Sequence, residues 1–205
     1  MPVFDATSPD GLLVAAALAG ESDAFAQLFA RYQPALLRAA VSRLARRELA
    51  EEAVQETFLC AHRWLETYDS RYSFRTWLWT ILLNQCSRQA KREARHATNT
   101  LIETELCLAS PNTATPSQVS PLDQLLARET SERIHELLAR LPDMQADALR
   151  LRFFGGLTFP EIAAAMDCSE PGAKNRVKTG LLKLAQWLTR RGSLAIENLA
   201  SGETQ

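Results

Sequence analysis

Thr158 to Leu184 reads TFPEIAAAMDCSEPGAKNRVKTGLLKL, and the order of its local signals decides the fold of the C-terminal half. Thr158 followed three residues later by Glu161 is a capping box, which opens a short helix over EIAAAM. Asp167-Cys168-Ser169 then makes a tight turn, and a last helix rich in Lys and Arg runs from Glu170. Short helix, three-residue turn and basic helix form a helix-turn-helix, whose second helix enters the major groove of DNA. Lys174, Asn175 and Lys178 share one side of that helix, with Arg176 a fraction of a turn away. Lysine and arginine neutralise phosphates or bond guanine edges, and asparagine suits adenine, so the four make a workable reading head. Ala173, Val177, Leu181, Leu184 and Leu188 are expected to face inward. The competing reading is an ordinary amphipathic helix with a solvated basic face.

Upstream, Gly155-Gly156 ends a helix that begins at Asp143 and carries Ala148, Leu149, Leu151 and Phe153. An earlier helix starts at Ser120-Pro121 and carries an apolar stripe of Leu122, Leu125, Leu126, Ile134, Leu137, Leu138 and Leu141, with Pro142 as its stop. Between His96 and Pro121 the composition turns to Pro, Ser, Thr and Asn, the mark of a linker. Four segments follow: a helical domain over 8–95, a linker over 96–120, a second helical domain over 121–191 and a flexible tail over 192–205.

In the first domain, one helix starts after Ser8 with Pro9 at its first position and ends near Gly20. A second starts at Ser22 as N-cap and places Phe25, Leu28, Phe29 and Tyr32 on one face. Pro34 kinks or restarts it, and Leu36, Leu37, Ala40, Val41 and Leu44 continue its apolar face. A third helix, about 48–66, turns Ala53, Val54, Phe58, Ala61 and Leu65 inward. Its outer face carries Glu48, Glu52, Gln55 and Glu56 at spacings of three and four. Like charges so placed repel by a few tenths of a kcal/mol per pair, roughly, so the stripe is either a solvated face or a surface kept for a partner. A fourth helix, about 74–95, turns Leu78, Ile81, Leu82 and Trp77 toward the core.

Around the start of that fourth helix lie Trp64, Tyr68, Tyr72, Phe74, Trp77 and Trp79, a dense group in a chain with 7% aromatics. Trp77 and Trp79 are two apart on a helix and cannot face the same core, so one of them belongs at a surface or an interface. An exposed ring beside Arg71 and Arg75 is what stacking on an unpaired base requires, although core packing competes for each ring singly.

The net charge of −1 hides two basic faces. Arg71 to Arg95 holds six basic residues against one acid, and Lys174 to Arg191 holds six against none. With 46% hydrophobic residues in 205, a folded chain of two compact helical domains is expected, and no alternating pattern argues for a strand. The four cysteines have no CxxC pairing and the three histidines do not stand at ligand-like spacing from them, so no metal site and no cofactor are expected. No nucleophile elbow, phosphate-cradling loop or paired-carboxylate setting occurs, which argues against an enzyme. The apolar run near the N-terminus lacks a positive flank, so neither a signal peptide nor membrane insertion is expected, and the location is read as cytoplasmic.

Three blocks resemble one family. AEEAVQETF (Ala50 to Phe58) is similar to region 2.2 of bacterial sigma-70 type RNA polymerase sigma factors. FRTWLWTILLNQ (Phe74 to Gln85) is similar to their regions 2.3 and 2.4, and Leu138 to Leu184 to their region 4. The absence of a domain between the blocks resembles the extracytoplasmic-function (ECF) class. The resemblance implies an all-α fold of two small helical domains, a region 2 bundle and a region 4 helix-turn-helix, joined by a flexible linker. It implies that Glu51, Glu52, Gln55 and Glu56 bind the clamp helices of the β′ subunit of core RNA polymerase. Arg71, Arg75, Trp77, Asn84, Arg88 and Lys91 would recognise and hold open the minus-ten element of promoter DNA. Region 4 would sit on the β flap and read the minus-thirty-five element through Lys174, Asn175, Arg176 and Lys178. An anti-sigma factor is a further partner that the family admits. The alternative is a helix-turn-helix regulator that binds duplex DNA without polymerase. The chain departs from the family at Pro171, Gly172 and Thr179 in the last helix and at Arg88, where an aspartate is common.

Overall fold

The computed structural model describes residues 9–44, 46–99 and 133–201, with side chains omitted for 96–99 and 190–201. All regular structure among the described residues is helical. In chain order the helices are α1 (Asp10–Leu18), α2 (Ser22–Leu44), α3 (Arg47–Arg63), α4 (Phe74–Asn99), α5 (133–139), α6 (Asp143–Phe153), α7 (Phe159–Ala165) and α8 (Glu170–Ser201). A 3-10 turn, Leu65–Thr67, follows α3.

Helices α1 to α4 form the first bundle. Leu28, Tyr32, Leu36 and Ala40 recur along α2 at a spacing of four and are buried, as are Ala53, Val54, Phe58 and Ala61 of α3. From α4 come Leu78, Ile81 and Leu82. Burying one such leucine contributes roughly 1.5 to 3 kcal/mol, so these stripes dominate what holds the bundle together. The start of α1 is fixed by Asp10, whose carboxylate accepts hydrogen bonds from Arg31 and from the Tyr32 hydroxyl on α2. Burial, and then the neighbouring Asp10 carboxylate, hold the Tyr32 phenol far above the ordinary tyrosine range, so it remains a donor.

Five expectations are corrected here. Pro9 is the N-cap of α1 rather than its first residue. Pro34 does not restart α2: the helix runs through it, with the ring exposed and the flanking turns held by packing on α3 and α4. Helix α3 stops at Arg63, and α4 continues four residues past its expected end at Arg95. Phe153 ends α6 on its exposed side. The linker and the helix start at Ser120-Pro121 fall mostly within 100–132, outside the described residues.

In the C-terminal half, Leu137, Leu138 and Leu141 are buried, and Leu138 and Leu141 join the hydrophobic core. The inward line of α8 is Ala173, Val177, Gly180, Leu184 and Trp187, while Leu181 and Leu188 are exposed. Apolar scoring selects the two leucines and misses the glycine. A Cβ on Gly180 would lie 2.9 Å from Leu149 Cδ1, so the bare backbone lets α6 lie close to α8. Past Gly192 the backbone stays helical to Ser201, where a flexible tail was expected. One glycine weakens a helix by only ~1 kcal/mol, and SLAIENLA beyond it holds no proline.

The halves pack on each other. Trp79 of α4 is 1% exposed, and a Cβ on Gly155 would stand 3.0 Å from its Cε2. Gly155 and the positive φ of Gly156 turn the chain between α6 and α7 tightly enough for the indole to fit. This resolves the Trp77 and Trp79 pair: Trp79 meets the other half, and Trp77 lies half-buried on its own.

Candidate functional site

Three surfaces carry the candidate residues. The first lies between α2 and α3. Glu51, Glu52, Gln55 and Glu56 are all exposed along α3. Glu51 accepts a hydrogen bond from Arg47 Nε at 2.7 Å, and Glu52 lies 3.5 Å from Arg92 Nη1 of α4. Glu51 and Gln55 also line a groove of about 670 Å³ floored by Phe25, Phe29, Leu37, Val54 and Leu59. Phe29 is 39% and Leu59 51% exposed. Gln33, Arg47, Glu51, Gln55 and His62 make a rim of mixed charge around the apolar floor, and such a groove fits the apolar face of an amphipathic helix. Sequence reasoning placed Phe29 inward and overlooked Leu59. The signal was present: Leu59 follows Gln55 by four and Glu56 by three, so it is an apolar residue on the acidic stripe.

The second surface runs along α4. Tyr68, Phe74 and Trp77 form a ring cluster, with centroids 5.3 Å apart for Tyr68 and Trp77 and 5.7 Å for Phe74 and Trp77. Phe74 is buried and anchors the other two. Trp64 and Tyr72 are exposed. Asn84, Arg88 and Lys91 are exposed at spacings of four and three, on the helix line that starts at Trp77 seven residues earlier. The expected basic and polar stripe therefore exists as one face. Arg71 stands at its edge and pairs with Asp69, whose carboxyl its hydrogen bonds hold below the usual range. Arg75 is already engaged: its Nη2 lies 3.1 Å from Glu161 Oε1 on α7.

The third surface is the helix-turn-helix of α7 and α8. Glu161 accepts hydrogen bonds from the Thr158 N–H and hydroxyl, each at 2.8 Å, so the expected capping box is formed. Burial pushes the Glu161 carboxyl up, but the bonds from Thr158, Ser73 and Arg75 outweigh it and hold the group at about 2. In the turn, Asp167 adopts a φ of 47°, a left-handed conformation that aspartate tolerates. Ser169 caps α8, its Oγ accepting from the Gly172 N–H at 3.2 Å, and Pro171 sits in the first turn, where no N–H is needed. Lys174, Asn175 and Lys178 are exposed and Arg176 is half-buried. Lys174 pairs with Glu170 at 2.7 Å and lies over the Phe159 ring. The Thr179 hydroxyl donates back to the Asn175 carbonyl at 2.7 Å, so it is satisfied within its own helix.

A cleft of about 460 Å³ separates the second and third surfaces, with Tyr72, Trp77 and Thr80 on one wall and Ala164, Asp167 and Cys168 on the other. Cys60 and Cys86 are buried, and burial pushes the Cys86 thiol up to about 12, which leaves it an unreactive packing group. Among the described residues no cluster of His, Cys, Asp or Glu could hold a metal, and no helix is long and apolar enough to cross a membrane.

Residues 28–96 match the family description Sigma-70 region 2, and residues 131–184 match Sigma-70, region 4. The two matches fall in the family's order and together span more than half of the 205 residues. The chain belongs to the sigma-70 family, in its ECF class. It is 27% identical over 169 residues to the RNA polymerase sigma-H factor of Pseudomonas aeruginosa, covering 82% of this chain and 88% of that protein. The ECF RNA polymerase sigma-E factor of Escherichia coli K12 is also 27% identical over 169 residues, with the same coverage. A solved structure of CnrH in complex with the cytosolic domain of CnrY superposes with a TM-score of 0.67 at 26% identity, covering 91% of this chain and 99% of that one. The groove and the α4 stripe thus lie in sigma region 2, and the α7–α8 pair lies in sigma region 4.

Proposed function

We propose that this protein binds core RNA polymerase in the cytoplasm and directs it to initiate at particular promoters, acting as a specificity subunit with no catalysis of its own. The observation that carries the reading is the joint presence of three surfaces in one sigma-70 chain: an apolar groove beside the exposed acidic face of α3, an aromatic and basic stripe, and a helix-turn-helix. Two folding units are assigned, 8–95 and 121–191. The groove and the exposed face of α3 beside it, Glu51, Glu52, Gln55 and Glu56, take the β′ clamp helices, with Phe29 and Leu59 supplying apolar contact. Trp77 stacks on an unpaired base of the minus-ten element, and Asn84, Arg88 and Lys91 follow the strand along α4. Arg71 holds a phosphate at the mouth of that face, and Arg75 joins it once DNA displaces its ion pair with Glu161. Stacking on one base is worth ~1 to 3 kcal/mol, too little to melt duplex alone, so polymerase binding must supply the rest. Lys174, Asn175 and Lys178 read the minus-thirty-five element from the exposed face of α8. Arg176, half-buried, takes the smaller share.

A duplex-binding regulator without polymerase would leave the groove and the aromatic face without a role. Run-off transcription with purified core enzyme and a selected promoter library is the test. A product that appears only when this protein is added is the expected result, and no product from any promoter would refute the reading.

A further inference from the structure

Two cations converge on one aromatic ring at the edge of the helix-turn-helix. The Arg152 guanidinium carbon lies 5.0 Å from the centre of the Phe159 ring, and Lys174 Nζ lies 5.8 Å from it. Arg152 is in the last turn of α6, Phe159 opens α7 and Lys174 stands in the second turn of α8, so three helices meet at this ring. Phe159 is half-buried against the core, which fixes the ring, while Lys174 is exposed. Arg152 Nη1 also donates to the Leu157 carbonyl at 2.7 Å, and among the described residues it pairs with no carboxylate. Lys174 has Glu170 at 2.7 Å, an exposed pair of the kind that contributes little.

The face of an aromatic ring carries negative charge density and attracts a cation within about 6 Å of its centre. The Phe159 ring therefore restrains two long side chains that would otherwise sweep many rotamers. Lys174 belongs to the reading head of α8, so Arg152, held by the same ring, borders the same face. We propose that Phe159 is a positioning residue for promoter binding. Its ring holds Arg152 and Lys174 as a pair of cations for backbone phosphates beside the minus-thirty-five element. Arg152 thereby becomes a DNA contact in addition to Lys174, Asn175, Arg176 and Lys178.

The planar fork of donors on an arginine matches a phosphate. Phosphate contacts set the register and orientation of a protein on the duplex and carry no base identity, so the pair places α8 rather than choosing the sequence it reads. Because the ring orders both side chains before DNA arrives, less rotamer freedom is lost on binding.

The proposal rests on the sigma reading, and its test separates the two. Promoter affinity of the polymerase complex is measured over a range of salt for the parent, for Phe159→Leu and for Phe159→Tyr. A fourth chain carries trifluorophenylalanine at position 159, which keeps the ring and weakens its negative face. Circular dichroism and thermal melting check the fold. Phe159→Leu and the fluorinated chain should bind about tenfold more weakly and lower the slope of log affinity against log salt by about one, and Phe159→Tyr should match the parent. Arg152→Gln approaches the site from the other side; it should also lower the slope by about one, and it still reports if the changes at Phe159 cost the fold. A fluorinated chain with parental affinity and slope would overturn the platform, whatever Phe159→Leu does to stability. An unchanged slope in Arg152→Gln would overturn the Arg152 contact. Either failure leaves the sigma reading standing if the parent complex initiates at a promoter. Should the parent complex give no transcript, the sigma reading fails, and the same salt series with the free chain on duplex DNA decides the platform. There, a lowered slope in the fluorinated chain supports it, and an unchanged slope or no binding overturns it.

Discussion

Gly155 shows how much can hang on one missing methyl group. A Cβ there would lie 2.7 Å from the Leu151 carbonyl oxygen and 2.6 Å from Leu157 Cδ1, as well as close to Trp79. Backbone cannot retreat as a side-chain tip can, so Gly155→Ala should destabilise the protein by about 1 to 3 kcal/mol. Urea unfolding would measure it, and a change within error would mean the turn relaxes freely. Glu161 gives a pH dependence whose sign follows from its depressed titration. Unfolded it titrates near 4.5 and folded at about 2, so its stabilisation is complete above pH 4.5 and disappears as pH falls toward 2. The stability gap between the parent and Glu161→Gln should therefore narrow below pH 4.5; a gap constant from pH 6 to pH 3 would contradict this. Both residues stood in the sequence as local signals, a helix stop and a capping acid. Their contacts with Trp79 and Arg75, far apart in the chain, did not.

At the scale of elements, α3 and α4 divide the work of region 2. Glu52→Arg with Gln55→Ala alters two exposed residues and leaves the buried line Ala53, Val54, Phe58 and Ala61 in place. The double variant should melt near the parent temperature and bind core at least tenfold more weakly, and unchanged affinity would refute the clamp assignment. On α4, Trp77→Ala removes a half-buried ring packed on Tyr68 and Phe74. It should impair open-complex formation more than closed-complex formation, because only strand-separated DNA offers a base to stack on; equal loss in both would count against stacking. Helix existence and the polar stripes were legible in the sequence because both follow from a period of 3.6 residues. The register of α8 was not: pattern reading values Leu181 and Leu188, whereas the neighbouring α6 selects Gly180 by close fit and Arg140 lies 5.1 Å over the Trp187 ring. Pro34 likewise reads as a break, yet packing on α3 and α4 carries α2 through it.

At the scale of the whole molecule, the charges are arranged so that a chain of net charge −1 presents two separate basic faces. Each phosphate contact contributes about one unit to the slope of log affinity against log salt. Lys91→Ala and Lys178→Ala should each lower that slope by about one in promoter binding by the polymerase complex. The double variant should lower it by about two, since distant sites act independently. A sum well short of two would mean the two faces do not engage DNA together.

The sequence by itself determined the helical content, the capping box and turn of the helix-turn-helix, the acidic and basic stripes, and the family, all of which depend on residues within a few turns of one another. Tertiary structure decided which indole is buried, which residues of α8 form its inner line, the groove that joins Phe29 to Leu59, and the bonds from Arg150 to Ser42 near the end of α2. These depend on which surfaces meet between residues 30 to 108 apart in the chain, and close packing makes that choice by shape and desolvation, which no local period encodes.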